Sequence, residues 1–254
     1  MDALSGFQLL LLMGAATIGG AIFGIAGFAF GIIASLFLHH GFAAADVVFI
    51  VVAGALVLNL GLLPRFWAEI DLRRAAPYLV GATLGLPIGL VLLRWTDPRL
   101  IRIFVAVLVL GYCLFALRQQ SREPLRWSTR RGHAADGAIG WAGGVVGGIS
   151  GLGPMLPGIW YGLRGMTKVE QRALTQPYGI YVQGLMVIWL LATGVVSKTA
   201  LEGVAVAAPV MLVTALLGLR LFDGLSTRRF QRIVIGAALV GAGFLLASQF
   251  RVAA

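Results

Sequence analysis

The sequence predicts an all-α polytopic membrane protein built from two inverted repeats, each a glycine-broken, re-entrant helical hairpin followed by three transmembrane helices. Three observations carry that expectation. Of 254 residues, 59% are hydrophobic and 12% charged, with a mean hydropathy of +0.92, whereas a soluble domain carries roughly 25% charged residues. The apolar runs are long and continuous rather than alternating, which favours helices over a barrel. Lastly, one glycine-rich stretch occurs twice at a fixed offset.

That stretch is Gly19–Gly31, GGAIFGIAGFAFG, and it returns 124 residues later as Gly143–Pro157, GGVVGGISGLGPMLP. With Gly24 set on Gly148, Ile25 falls on Ile149, Gly27 on Gly151, Gly41 on Gly165, Asp46 on Glu170 and Asn59 on Gln183. A register kept over that length marks an internal repeat. Each glycine costs about 1 kcal/mol inside a helix relative to alanine. Paired weak points in corresponding hydrophobic segments point to a transporter site made of broken helices.

Taken in order, Phe7–Leu38 is too long for one helix of about 20 residues and too short for two. Two half-helices in a hairpin, or one long broken helix, suit it. Ala43–Leu63 follows, closed by Pro64 and Arg65, then a short amphipathic link and the spans Ala75–Leu93 and Leu100–Leu117. Arg118–Ala135 is the long polar stretch, with five arginines. It divides the chain into an N-terminal repeat (1–120), a linker (121–135) and a C-terminal repeat (136–254). The second half repeats the plan: Asp136–Leu163 broken, then Leu174–Thr193, Ala200–Leu221 and Phe230–Phe250. Near its end Arg102 falls on Arg232 and Gly111 on Gly241, the offset now 130.

Lysine and arginine counts choose between the two readings of the broken segments. If both cross fully, the 20 basic residues divide ten and ten. If both return to the side they left, the division is 15 against 5. The bias favours re-entrant hairpins, with three crossings per half and the halves inverted. Both termini are then periplasmic and the arginine-rich linker cytoplasmic. The first segment lacks the basic start and cleavage site of a removable signal peptide. The net charge of +10 reads as basic cytoplasmic loops and not as nucleic-acid binding. The single cysteine, Cys113, leaves no internal disulfide and suits a packed core thiol.

The candidate chemistry is anion binding. A helix that begins inside the membrane offers unpaired N–H groups and a partial positive charge. Gly148, Ser150, Gly151, Gly153 and Pro154 suit such a start in the second half, with proline near the first helical position and Ser150 as cap or donor. Gly24 and Gly27 are counterparts in the first half, where Ala26, Ala29 and Phe30 stand for Ser150, Gly153 and Pro154, so the site is asymmetric. The alternative for each glycine is close helix packing. Asn59 and Gln183 are repeat-related amides deep in apolar spans, fit to bind a sulfonate, sulfite or carboxylate, or else to join helices. Gln176 and Tyr178, near Thr175, Tyr181 and the kinking Pro177, would line the access path.

Lys168 and Arg172 follow the second hairpin and read as ordinary positive-inside charges, with anion attraction as the alternative. Asp46 and Glu170 suit the starts of helices better than a coupling-ion site. His39 and His40 are adjacent, and adjacent helical residues do not face one way, so no metal site is expected. No HExxH, GxSxG or GxxxxGK motif and no paired intramembrane aspartates occur. Neither an enzyme nor a cofactor is expected.

These residues, above all GGVVGGISGLGPMLPGIWYGLRGMTKVEQRALTQ between two four-segment halves, resemble the TauE/SafE family of sulfite and organosulfonate exporters. The resemblance covers nearly the whole chain. It implies an inner-membrane permease for small anions such as sulfite, sulfoacetate and related C2 sulfonates or carboxylates. The family's G-x-G-G-G before proline is kept here only in part, as Gly148, Gly151, Gly153 and Pro154. The expected function is therefore secondary transport, outward in the family's sense, of a small anion by alternating access. An anion channel of the same architecture, or a non-transporting membrane scaffold, are the alternatives. The expected partners are that anion and membrane lipid; a homodimer is compatible with so small a bundle.

Overall fold

The computed structural model describes residues 4–27, 30–95 and 129–224 continuously, with single positions among 97–114 and 226–243. The described residues form nine α-helices and no strand. Cys113, Ala29, Gly241 and most of the spans Leu100–Leu117 and Phe230–Phe250 lie outside them, as does most of the arginine-rich linker.

α1 (Gly6–Gly14) starts with a capping box between Ser5 and Gln8, which satisfies two of its orphan donors. It passes through a π-helical stretch, Ala15–Gly19, into α2 (Gly20–Ala26). α3 (Phe30–Leu38) follows a break. α4 (Ala44–Phe66) and α5 (Leu72–Trp95) flank a 3-10 turn at Trp67–Glu69. The second half holds α6 (Thr129–Ser150), α7 (Met155–Leu163), α8 (Lys168–Ala192) and α9 (Lys198–Gly224). Gly6–Ile25, Ala45–Glu69, Leu72–Leu93 and Lys198–Leu221 are long and apolar enough to cross a membrane. α6 and α8, of 22 and 25 residues, match them in length and carry more polar side chains.

Several boundaries differ from expectation. In each broken segment a membrane-length arm, α1–α2 or α6, is followed by a nine-residue helix, α3 or α7. Pro64 does not end α4, which runs on to Phe66. α6 begins at Thr129, so the last residues assigned to the linker are helical; arginines there are good helix formers. α8 begins at Lys168 and not near Leu174, because Thr167 and Glu170 form a second capping box.

Each short helix folds back on the arm before it. Gln8 Nε2 donates to the Gly41 carbonyl at 2.8 Å, and Gly14 and Gly19 lie under the rings of Phe37 and Phe30. In the second half Gly132 lies against the Arg164 guanidinium and Gly143 against Pro157, while Trp160 Nε1 donates to Asp136 Oδ1 at 2.6 Å. The equivalent helices α4 and α8 run antiparallel: Ser197 N donates to Asp46 Oδ1 at 3.1 Å at one end, and the Arg172 guanidinium lies over the Phe66 ring at the other.

The sequence halves are not the packing units. α2 sits on α9 of the other half: a methyl group at Gly24 would collide with the Ala215 carbonyl, and one at Gly218 with Ala21. α5 sits on α6 in the same way, Gly81, Gly85 and Gly89 meeting its backbone while Gly140, Gly144 and Gly148 meet Tyr78, Ala82 and Leu86. Small residues spaced by four let helix backbones touch. One core joins the first hairpin, α4 and α9; another joins α5, α7 and α8.

Candidate functional site

Two left-handed glycines make the breaks. Gly27 caps α2 with φ 87°, its N–H on the Phe23 carbonyl; Gly151 follows α6 with φ 75°, its N–H on the Gly147 carbonyl. Glycine takes this conformation without the Cβ penalty other residues meet. After the break the chain descends past the middle of α4 and α8. Phe30 packs on Gly54, Gly31 reaches Val51 and Leu152, and Gly153 lies against Val182. Ile32 joins Ile149, Leu152 and Met155 in one cluster, so the starts of α3 and α7 lie close together.

Ser150 Oγ donates to the Val146 carbonyl at 2.8 Å and accepts from Leu152 N at 3.4 Å. It acts here as a local cap, its proton committed to its own helix. Pro154 stands at the residue before α7, with φ −65°. Gly24 and Gly148 lie in the helix contacts described above, and that close approach by itself accounts for glycine there.

The amides meet where α4 and α8 pack on each other. Asn59 and Gln183 are 1% and 3% exposed, and their side-chain amides meet at 2.8 Å. Asn59 Nδ2 also reaches the Ala55 carbonyl at 3.0 Å. Gln176 Nε2 donates to the Asn59 backbone carbonyl, which joins it to this pair. Tyr178 turns the other way, its hydroxyl donating to Gly140 O at 3.0 Å in α6. Gly179 escaped sequence reading; a Cβ there would meet Asn59 Nδ2 at 2.9 Å. The signal for it was its position one turn before Gln183.

Arg172 departs most from expectation. It is not a loop charge but a buried side chain, 2% exposed, whose Nη1 donates to the carbonyls of Phe23 at 3.2 Å and Ile25 at 3.5 Å. Lys168 stays partly exposed in the first turn of α8. Glu170 completes the capping box and pairs with Arg74 at 3.3 Å. Asp46 instead reaches Ser197 across the bundle. His39 and His40 are exposed in a turn, and among the described residues no group of three or more His, Cys, Asp or Glu could hold a metal.

Asp136 was not singled out by sequence reading. It is 7% exposed and its Oδ1 accepts from Tyr78 Oη at 2.5 Å and Trp160 Nε1 at 2.6 Å. Its repeat counterpart is Leu12, so no duplication drew attention to it.

A sequence model of the family described as Sulfite exporter TauE/SafE matches residues 12–245. No curated protein and no solved structure matches the chain.

Proposed function

The chain belongs to the TauE/SafE sulfite exporter family, a family of membrane transporters, and from that premise we propose that it carries a small anion by alternating access. The substrate class is sulfite or a C2 sulfonate or carboxylate such as sulfoacetate, held where the two broken segments pass beside Asn59 and Gln183. The observation that carries this reading is the buried Asn59–Gln183 pair. Two repeat-related amides meet between α4 and α8, the two helices that the breaks at Gly27 and Gly151 pack against. An anion there would be held by amide N–H groups and by backbone N–H groups near Gly27 and Gly151–Gly153, without a lysine. Ser150 would join by turning its hydroxyl off the Val146 carbonyl.

The antiparallel α4 and α8, and the return of each short helix toward the start of its own arm, support re-entrant hairpins in inverted halves. Rocking of one such unit against the other exposes a midplane site to each side in turn. With the hairpins re-entrant, the arginine-rich face is cytoplasmic and both termini are periplasmic, in the inner membrane.

The test is thermal stability of the detergent-purified protein against sulfite, sulfate, sulfoacetate, isethionate, taurine, acetate and chloride. A ligand at 100 times its Kd stabilises the native state by about 2.7 kcal/mol. Sulfite or a sulfonate raises the melting temperature, and Gln183→Leu removes that rise. A melt unmoved by every anion sinks the proposal.

A further inference from the structure

We propose that Arg172 forms a second anion station, on the arginine-rich side of the amide pair, where a polar stripe along α8 begins. The inference rests on the transporter reading above. Arg172, Gln176, Gly179 and Gln183 recur at spacings of four, three and four, which places them on one helix face. Their contacts settle which face it is. Gln176 and Gln183 bond Asn59, Gly179 lies against it, and Arg172 packs on Phe66 and the first hairpin. The corresponding positions of α4 are Val48, Val52, Ala55 and Asn59. At the first three, packing of α4 is met by apolar side chains, Val48 standing where α8 has Arg172, so packing alone does not call for a cation in α8.

Burying a guanidinium inside a membrane bundle is costly, and intramembrane charge marks substrate paths. Among the described residues the buried charged side chains are Asp136 and Arg172. The local structure accommodates Arg172 specifically. Its Nη1 sits on carbonyls at the C-terminal end of α2, where the helix dipole is negative. Its guanidinium lies 5.7 Å from the Phe23 ring centre and 5.1 Å from that of Phe66, within cation–π range. Gly27 leaves it room: a Cβ there would stand 2.7 Å from Arg172 Nη1. The cation is thus seated at the break of the first hairpin.

A guanidinium carries five donors in a planar fork, the shape that pairs with an oxyanion through two parallel N–H···O bonds. Eleven residues separate Arg172 from Gln183, about 16 Å along the helix. That exceeds a two-carbon anion, so the arginine and the amides are successive stations and not one site. The first station recognises charge; the second recognises hydrogen-bonding geometry.

The test is transport of radiolabelled sulfoacetate, a dianion, and isethionate, a monoanion, in proteoliposomes of the full-length protein. Arg172→Gln raises KM for sulfoacetate roughly tenfold and for isethionate less, so the preference for the dianion falls. Arg172→Lys keeps the charge but not the fork; its KM for sulfoacetate lies between the two while the dianion preference persists. Unchanged KM values and an unchanged preference in Arg172→Gln overturn the inference. If Arg172→Gln does not fold, Arg172→Lys decides, because a KM equal to wild type in that variant overturns it as well. Failure of the wild type to carry or be stabilised by any of the anions is the separate failure of the transporter reading.

Discussion

Asn59 and Gln183 are 124 residues apart in the chain and 2.8 Å apart in space. Each occupies the place in its own half that the other occupies in the second half. A residue that touches its own counterpart lies where a two-fold relation between copies would place it, as at an isologous interface. The same offset relates Gly27 to Gly151 and Gln8–Gly41 to Gly132–Gly165. The asymmetry lies in what surrounds these pairs: Arg172 against Val48, Asp136 against Leu12, Pro154 against Phe30.

The amide pair is expected to be coupled. Gln183→Leu leaves a buried Asn59 amide short of its partner, at a cost of about 1–3 kcal/mol. Asn59→Leu does the same to Gln183. The double variant loses less than the two single losses combined, by about 0.6 kcal/mol or more. Unfolding of all four proteins in an SDS titration measures this; strict additivity would show that the bond contributes nothing.

The two break glycines are expected to be intolerant of alanine. At Gly27 and Gly151 a left-handed backbone costs an L-residue roughly 1–2 kcal/mol. The new methyl group would also press on Arg172 Nη1 at 2.7 Å or Val52 Cγ2 at 2.8 Å. Gly184 is the control, since it is helical with nothing within 4 Å of an added Cβ. Gly184→Ala is neutral or gains up to about 1 kcal/mol. Equal melting temperatures for all three variants would refute the assignment of the breaks to backbone conformation.

Asp136 is expected to anchor the second hairpin to α5. Asp136→Leu strands the Tyr78 hydroxyl and the Trp160 indole N–H, each costing about 1–3 kcal/mol when buried without a partner. Asp136→Asn keeps a carbonyl oxygen and loses less. Thermal melts of the two variants check the order; a leucine variant as stable as the asparagine one would show that the two donors find other acceptors.

The all-helical membrane class, the two breaks and the two buried amides were legible in the sequence. Apolar run length, glycine conformational freedom and a fixed repeat offset are local properties, and they act wherever the chain places them. The reach of the arms was misjudged because arginine and threonine beside an apolar run are compatible with either loop or helix until a cap such as Thr167–Glu170 is formed. What only the tertiary structure decided is which surfaces meet. Periodicity places Gly24 and Gly148 on helix faces but does not say that α9 and α5 lie there, so packing and ligand roles could not be separated. Nor does it distinguish Arg172 from Lys168, four residues earlier on the same helix. One is buried because the first hairpin, more than 140 residues away in sequence, lays its carbonyls and Phe23 over that position, and a long-range contact of this kind leaves no mark on the residues around it.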